Sequence, residues 1–315
     1  YSIWISEIML QQTGVKTVIP YFSNFKKKWP NFDLFLKANQ DEIIKMWQGL
    51  GYYQRAKNIY RTIQILKKKR VKITYNHLIK LPGIGTYSAA SISAILKDES
   101  YAVVDGNIKR ILSRVFNIIK NSKNFEKEIY KVAQILTPEK GNGIYCQSLM
   151  DIGSIICKPI KPNCNLCPVN TLCYSFKKPL KINSLSKRKK IKKIAVTFYI
   201  INKTQVFTQK SQDSFLYGLM KFPLSDLTVV ENFKQNNMME DIINIWLETN
   251  SIKNYYFNLG FIRHNFTDFD LKLFVVKVVL KKKELPLKGL WLNEKELNKH
   301  SFSKLMLKVI RKVFE

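Results

Sequence analysis

No stretch of this chain approaches the roughly 18 consecutive apolar residues that a membrane-spanning helix needs, and no charged-then-apolar leader opens it. The expectation is a soluble, intracellular protein with no membrane partner. No internal repeat is present. Acidic side chains are scarce: 23 Asp and Glu stand against 53 Lys and Arg, a formal net charge of +30. That imbalance points to a polyanionic partner, although the abundance of Lys, Asn and Ile also fits an AT-rich coding bias. Methionine is missing at the start. The first residue is Tyr1, and an apolar helical pattern (Ile3, Trp4, Ile5, Ile8, Met9, Leu10) begins at once, so a further segment before Tyr1 is expected.

Cysteine is sparse too, at five residues, but four of them are spaced closely as C-x6-C-x2-C-x5-C: Cys157, Cys164, Cys167 and Cys173. Without secretory features, thiols this close in sequence suit one metal centre rather than disulfides. Tetrahedral sulfur ligation serves zinc or a [4Fe-4S] cube. Zinc sites usually pair two short hooks, and only Cys164 and Cys167 make one, so the spacing favours the cluster with zinc as the alternative. Cys146 has no spacing partner and reads as a buried apolar residue.

At 315 residues the chain is long enough for two cores. To about Ser175 apolar residues recur at three and four, with breaks at Pro20, Pro30, Gly49–Gly51, Pro82–Gly85 and Asp105–Gly106. The run Lys177–Lys193 holds nine basic residues and no acid, a linker able to lie along a phosphate backbone. Beyond it the texture is α+β. Ile194–Ile201 and Val206–Thr208 flank an Asn202-Lys203 turn as a hairpin, Leu271–Leu280 is strand-like, and helices are expected near 237–249 and 302–314.

Three elements carry chemistry. Leu81-Pro82-Gly83-Ile84-Gly85 lies between two helical stretches, where Gly83 and Gly85 let the backbone turn tightly and offer N–H groups to a phosphate. Asp105 precedes Gly106-Asn107 and a periodic helix, the place of an ordinary N-cap. Glu7 sits within the apolar stretch Ile3–Leu10. There it is either exposed on a polar stripe with Gln11 or buried with a raised pKa, which a general acid requires.

Taken together, Trp4–Thr13, Gly49-Leu-Gly-Tyr52-Tyr53, the Leu81–Gly85 hairpin, Val104-Asp105-Gly-Asn107 and the four cysteines resemble the endonuclease III superfamily of DNA glycosylases, and within it the adenine glycosylases of the MutY type. The resemblance implies a mainly α helix-hairpin-helix DNA glycosylase fold followed by an α+β Nudix-like domain. The expected divisions are a six-helix barrel over 1–100, an iron–sulfur cluster domain over 101–175, the linker over 176–193 and the Nudix-like lesion-recognition domain over 194–315. It implies hydrolysis of the N-glycosidic bond of adenine opposite 8-oxoguanine or guanine in double-stranded DNA. The enzyme would be a monomer in a bacterial cytoplasm, associated with the nucleoid and carrying a [4Fe-4S] cluster.

By the same resemblance, Glu7 donates the proton and Asp105 stabilises the cationic sugar, with Tyr87 and Asn107 orienting them. Gln11 and Tyr52 enter the duplex at the lesion, while Gly83, Gly85 and Lys109 meet the backbone. Superfamily members that also cut the backbone carry Lys where this chain has Tyr87, which cannot form a Schiff base, so a monofunctional enzyme is expected. In the second domain, Leu219–Glu231 offers no acidic RExxEE-type Nudix helix. The family's H-x-F-S-H-F segment reads His264-Asn-Phe266-Thr267-Asp268-Phe269. Phe266, Thr267 and Asp268 are then the lesion readers, with Asp268 in place of the usual His. Two alternatives remain: another glycosylase of the superfamily, or a non-catalytic DNA-binding protein held by structural metal.

Overall fold

The computed structural model describes residues 1–120, 122–178, 190–212, 216–233, 238–252 and 255–315. Most of the basic linker, residues 179–189, lies outside the described residues. The chain forms two compact units: Tyr1–Lys37 with Asn58–Ser186, and Ala38–Lys57 with Lys187–Glu315. Among the described residues, no helix is long and apolar enough to cross a membrane.

The helices, in chain order, are α1 (Ser2–Leu10), α2 (Val15–Lys28), α3 (Phe32–Leu36), α4 (Gln40–Trp47), α5 (Gln54–Lys68), α6 (Tyr75–Leu78), α7 (Thr86–Lys97), α8 (Gly106–Val115), α9 (Phe125–Leu136), α10 (Asn142–Asp151) and α11 (Tyr174–Lys177). α1 buries Trp4, Ile5, Glu7, Ile8 and Met9. α7 is built from small residues, with Ser88, Ala89, Ala90, Ser91, Ser93 and Ala94 all buried. Such a surface admits close neighbours: a Cβ on Gly143 of α10 would stand 2.7 Å from the Ala94 carbonyl oxygen.

One expectation is corrected here. Pro20 does not break a helix but lies inside α2. It and Lys16, whose carbonyl loses its donor, are both exposed, so water can take the place of the missing bond. Asp98, in the left-handed conformation at the end of α7, accepts from the backbone of Gly141 (2.7 Å) and Gly143 (3.2 Å), while buried Asn142 donates to Glu99 and Tyr101. Helices α7 and α10 are thereby tied into one body.

The second unit holds a mixed sheet: β1 (Ile191–Asn202), β2 (Gln205–Lys210), β3 (Met220–Lys221), β4 (Thr228–Val230), β5 (Tyr256–Asn265), β6 (Phe269–Val279) and β7 (Leu290–Asn293), with helices α12 (Met238–Thr249) and α13 (Lys304–Phe314). The main order is β3-β2-β1-β6-β5. β1 runs parallel to β6 from Ile191 opposite Phe269 to Ile201 opposite Val279. Ile194–Asn202 is therefore buried on both faces and reads as a continuous apolar run. Tyr199, Leu273, Val275, Phe302 and Met306 form the core on one face. Val196, Phe198, Val276, Ile243 and Leu247 form the other. The expected hairpin forms, with Asn202 opposite Gln205, which makes Lys203-Thr204 the turn. No helix covers 219–231. From the first half of the chain, α4 enters this unit capped reciprocally by Asn39 and Glu42. Ile44 packs where a Cβ on Gly218 would fall 2.6 Å from its Cδ1, and Gln48 donates to the Phe302 carbonyl at 2.6 Å.

Candidate functional site

Because α1 is apolar almost all round, Glu7 has no solvent face and is only 7% exposed. Burial is the main force raising its pKa, and the negative charge of Asp105 adds to it; the Tyr87 and Ser91 hydroxyls oppose. Ser91 falls short of a well-formed hydrogen bond, and Glu7 Oε2 is buried without a partner. Burial, with Glu7 and Asp105 next in order, pushes the Tyr87 phenol upward as well, and its hydroxyl also lies 3.4 Å from the Met150 sulfur. Glu7 and Tyr87 thus lie close enough to influence one another, and the Asp105 charge reaches both. Of the two positions open to Glu7, the structure takes the buried one.

Asp105 is the N-cap of α8. Its Oδ1 accepts from the Ile108 amide at 2.7 Å, while Asn107 Nδ2 donates to its Oδ2 at 2.8 Å. Both oxygens are thus held at the start of α8. Asn107 is fixed in turn by Arg110, whose guanidinium donates to Asn107 Oδ1 (2.9 Å), the Gly153 carbonyl (2.6 Å) and the Cys157 carbonyl (2.8 Å). Gly153 lies in a π-helical turn, Ile152–Ile156, that extends α10. A Cβ there would come 2.5 Å from Asn107 Cβ. Sequence reading missed Arg110, Ser91 and Gly153. The i,i+3 spacing of Asn107 and Arg110 was a usable signal for the first.

In the Leu81–Gly85 hairpin, Gly83 has φ +79°, and a Cβ would meet Asn58 Cβ at 2.8 Å. Gly85 is the extended N-cap of α7. The helix before the hairpin is the single turn α6. Gln11 Nε2 donates to the Gly83 carbonyl (3.2 Å) and the Ser88 hydroxyl (3.1 Å), so Gln11 is gathered to the hairpin in this state. Lys109 is paired with Glu126 at 2.5 Å, and a phosphate would have to compete with that partner.

All four spaced cysteines line one cavity of about 310 Å³ together with Ile111, Ile156 and Phe176. None of them is in a disulfide among the described residues. Burial, then the neighbouring Cys157, Cys173 and Cys167, push the Cys164 thiol up. Among the described residues, no three Cys, His, Asp or Glu side chains converge as a single ion would require. An all-cysteine donor set lining one cavity has the chemistry to hold a metal centre, as soft thiolates bind zinc or iron–sulfur clusters. Arg114, one turn beyond Arg110, donates to Cys157 Sγ (3.2 Å) and to the Lys158 and Pro159 carbonyls. One helix thus carries Asp105 at its start and braces the cysteine loop near its end. Cys146 is buried, as its lack of a spacing partner suggested.

The second unit has its own cleft, about 420 Å³, between the Gly49–Tyr53 loop and the β5–β6 hairpin. Gly49, Gly51 and Tyr52 have φ of 95°, 82° and 50°, and this left-handed path leaves the Tyr52 ring 38% exposed rather than in the core. Trp47 Nε1 and Arg55 both donate to the Gly51 carbonyl, and the Arg55 guanidinium lies 5.2 Å from the centre of the Tyr52 ring. Burial lowers the Arg55 pKa to about 10. Tyr52 and Thr267 hydroxyls meet at 2.5 Å. Phe266 N–H donates to the Phe269 carbonyl, which presents Thr267 and Asp268 as an exposed tip. His264 is pushed down to about 4 by burial and by Lys308 and Lys304, so the imidazole is neutral near pH 7.

A hairpin between helices, a buried acid and a capped aspartate in one helical unit define a DNA-repair glycosylase scaffold. The model of the HhH-GPD superfamily base excision DNA repair protein matches residues 5–135. The adenine DNA glycosylase of Buchnera aphidicola subsp. Schizaphis graminum is 36% identical over 291 residues, spanning 89% of this chain and 80% of that one. Its counterpart from Homo sapiens is 36% identical over 183 residues, or 55% and 33% of the two chains. A thermostable thymine-DNA glycosylase structure superposes with a TM-score of 0.50 at 29% identity, covering 56% of this chain and 84% of that one. The chain belongs to the adenine DNA glycosylase family of the HhH-GPD superfamily. It is a DNA-binding hydrolase of N-glycosidic bonds in base excision repair.

Proposed function

We propose that this chain releases adenine mispaired with 8-oxoguanine, or with guanine, from duplex DNA, acting as a monomer and without strand cleavage. The observation that carries the reading is the buried Glu7, one of its oxygens unpartnered, beside Tyr87 and within reach of the Asp105 charge.

An extruded adenosine loses its base through an oxocarbenium-like sugar. Glu7, held protonated by its dry surroundings, gives a proton to the purine ring as the bond to C1′ lengthens. The bonding pair leaves with the base. The Glu7 carboxylate so formed then takes a proton from the water that attacks the sugar. Asp105, capping the start of α8, faces the cationic sugar and stabilises it, while Asn107 fixes its carboxyl group. Tyr87 offers no amine, so no Schiff base forms and the strand remains intact. Cys157, Cys164, Cys167 and Cys173 would hold a [4Fe-4S] cluster that shapes the loop of Lys158 and Lys161, both exposed toward solvent. The Gly83–Gly85 hairpin grips phosphate without reading sequence. Gln11 and Tyr52 fill the space left by the extruded base. Phe266, Thr267 and Asp268 read the base opposite, with Asp268 able to accept from an exocyclic amine.

Single-turnover release of adenine from an 8-oxoguanine:A duplex tests this, with a thymine-glycol duplex and Glu7→Gln as controls. Release from the first duplex only, abolished by Glu7→Gln with DNA binding intact, is the expected result. Equal release by the variant, or excision of thymine glycol instead, overturns the reading.

A further inference from the structure

The β5–β6 hairpin is anchored by a residue so far given no role. Lys190, immediately before β1, reaches both feet of the turn. Its Nζ donates to the Phe266 carbonyl at 2.5 Å and stands 3.6 Å from Asp270 Oδ1. That oxygen is buried and has no hydrogen-bond partner, so the ammonium is the charge that answers it. Further along, Lys193 Nζ lies 4.7 Å over the Phe269 ring, and Phe269 stacks on Phe266 with centroids 4.6 Å apart. The parallel pairing of β1 with β6 starts here, Ile191 opposite Phe269, which brings these lysines to the hairpin base. The tip itself is exposed and contacts Tyr52 through Thr267.

We infer that Lys190 is a positioning residue for recognition of the base opposite adenine: it spans Phe266 and Asp270 and holds the Thr267-Asp268 tip in its binding shape before DNA arrives. The inference rests on the reading of Phe266–Asp268 as the recognition segment. A two-residue tip closed by one backbone bond would lose conformational freedom on meeting a base, and fixing its feet beforehand removes that cost from binding. A charge-assisted bond of this kind, half open to solvent, corresponds to about a tenfold effect on discrimination.

The test uses the full chain with Lys190→Met, which removes the charge and keeps the length, and Lys190→Arg. Adenine release at sub-saturating enzyme is compared on 8-oxoguanine:A and G:A duplexes, and amide hydrogen exchange is followed at Phe266. The Met variant should lose about tenfold of the rate ratio between the duplexes and exchange faster at Phe266, with its melting temperature little changed. Arg should restore most of the ratio. A lost phosphate contact weakens both duplexes alike; an unchanged ratio therefore overturns the inference, and so does unchanged exchange. If the unmodified chain shows no preference while exchange still accelerates in the Met variant, the recognition reading fails and the role of Lys190 in it falls too, although the latch itself stands.

Discussion

Glu7→Gln should make the protein more stable while disabling it, and the gain should depend on pH. Glu7 is 7% exposed, its Oε2 has no partner, and Asp105 adds like charge. The folded pKa lies above the ordinary 4.5. For a raised carboxyl, native stability is fully present below the unfolded value and falls as pH rises through the folded one. Above that window the native state carries a buried anion that the unfolded chain solvates without cost. Glutamine keeps the shape and removes the charge. An unsatisfied buried polar group costs about 1–3 kcal/mol, and Tyr87 and Ser91 offset part of it here, leaving about 1 kcal/mol to recover. For a unit of this size that is a rise of about 2–4 °C in melting temperature. Thermal unfolding of both proteins should show that gap at pH 8 and its disappearance at pH 4.5 and below. Base release should fall by about 10²–10⁴. A gap independent of pH, or a variant less stable than the parent at pH 8, would refute the assignment of Glu7 as a carboxyl kept protonated by burial.

Asp105→Ala removes charge and cap together, Asp105→Asn only the charge; both should abolish base release, but Ala should cost about 1 kcal/mol more in unfolding free energy. Gly153→Ala drives a methyl into Asn107 and should cost about 1–3 kcal/mol while slowing base release more than it weakens DNA affinity, measured by single turnover and by titration. Cys164→Ser should lose iron, visible absorption and duplex affinity together; an iron-free variant that binds DNA as tightly as the parent would argue against the cluster's role in shaping the loop of Lys158 and Lys161.

Much of this could be read from the chain because the informative residues are local in sequence. The glycines of the hairpin, the aspartate before a periodic helix and the cysteine spacing are patterns that short-range geometry dictates. Strand-like Leu271–Leu280 and the helix near 237–249 appeared within a residue or two as β6 and α12. What escaped notice depends on side chains meeting across elements. Arg110 gains meaning only because α10 brings Gly153 and Cys157 to it. Ser91 is one small residue among many until α1 lays Glu7 beside it. Pro20 looked like a stop because sequence does not reveal which side of a helix faces water. Asp98 acquires its part only where the start of α10 offers it two amides.

The placement of Ala38–Lys57 bears on how such a gene can be cut or recombined. Severing the polypeptide within the basic tether would not release two self-sufficient pieces. The carboxy-terminal fragment would keep the Phe302 carbonyl, Lys210, Gly218 and Thr267 but forfeit Gln48, Asp41, Ile44 and Tyr52, which meet them in the intact molecule. Grafting a foreign carboxy-terminal half onto this one would therefore demand matched changes in a short internal passage that precedes the hairpin.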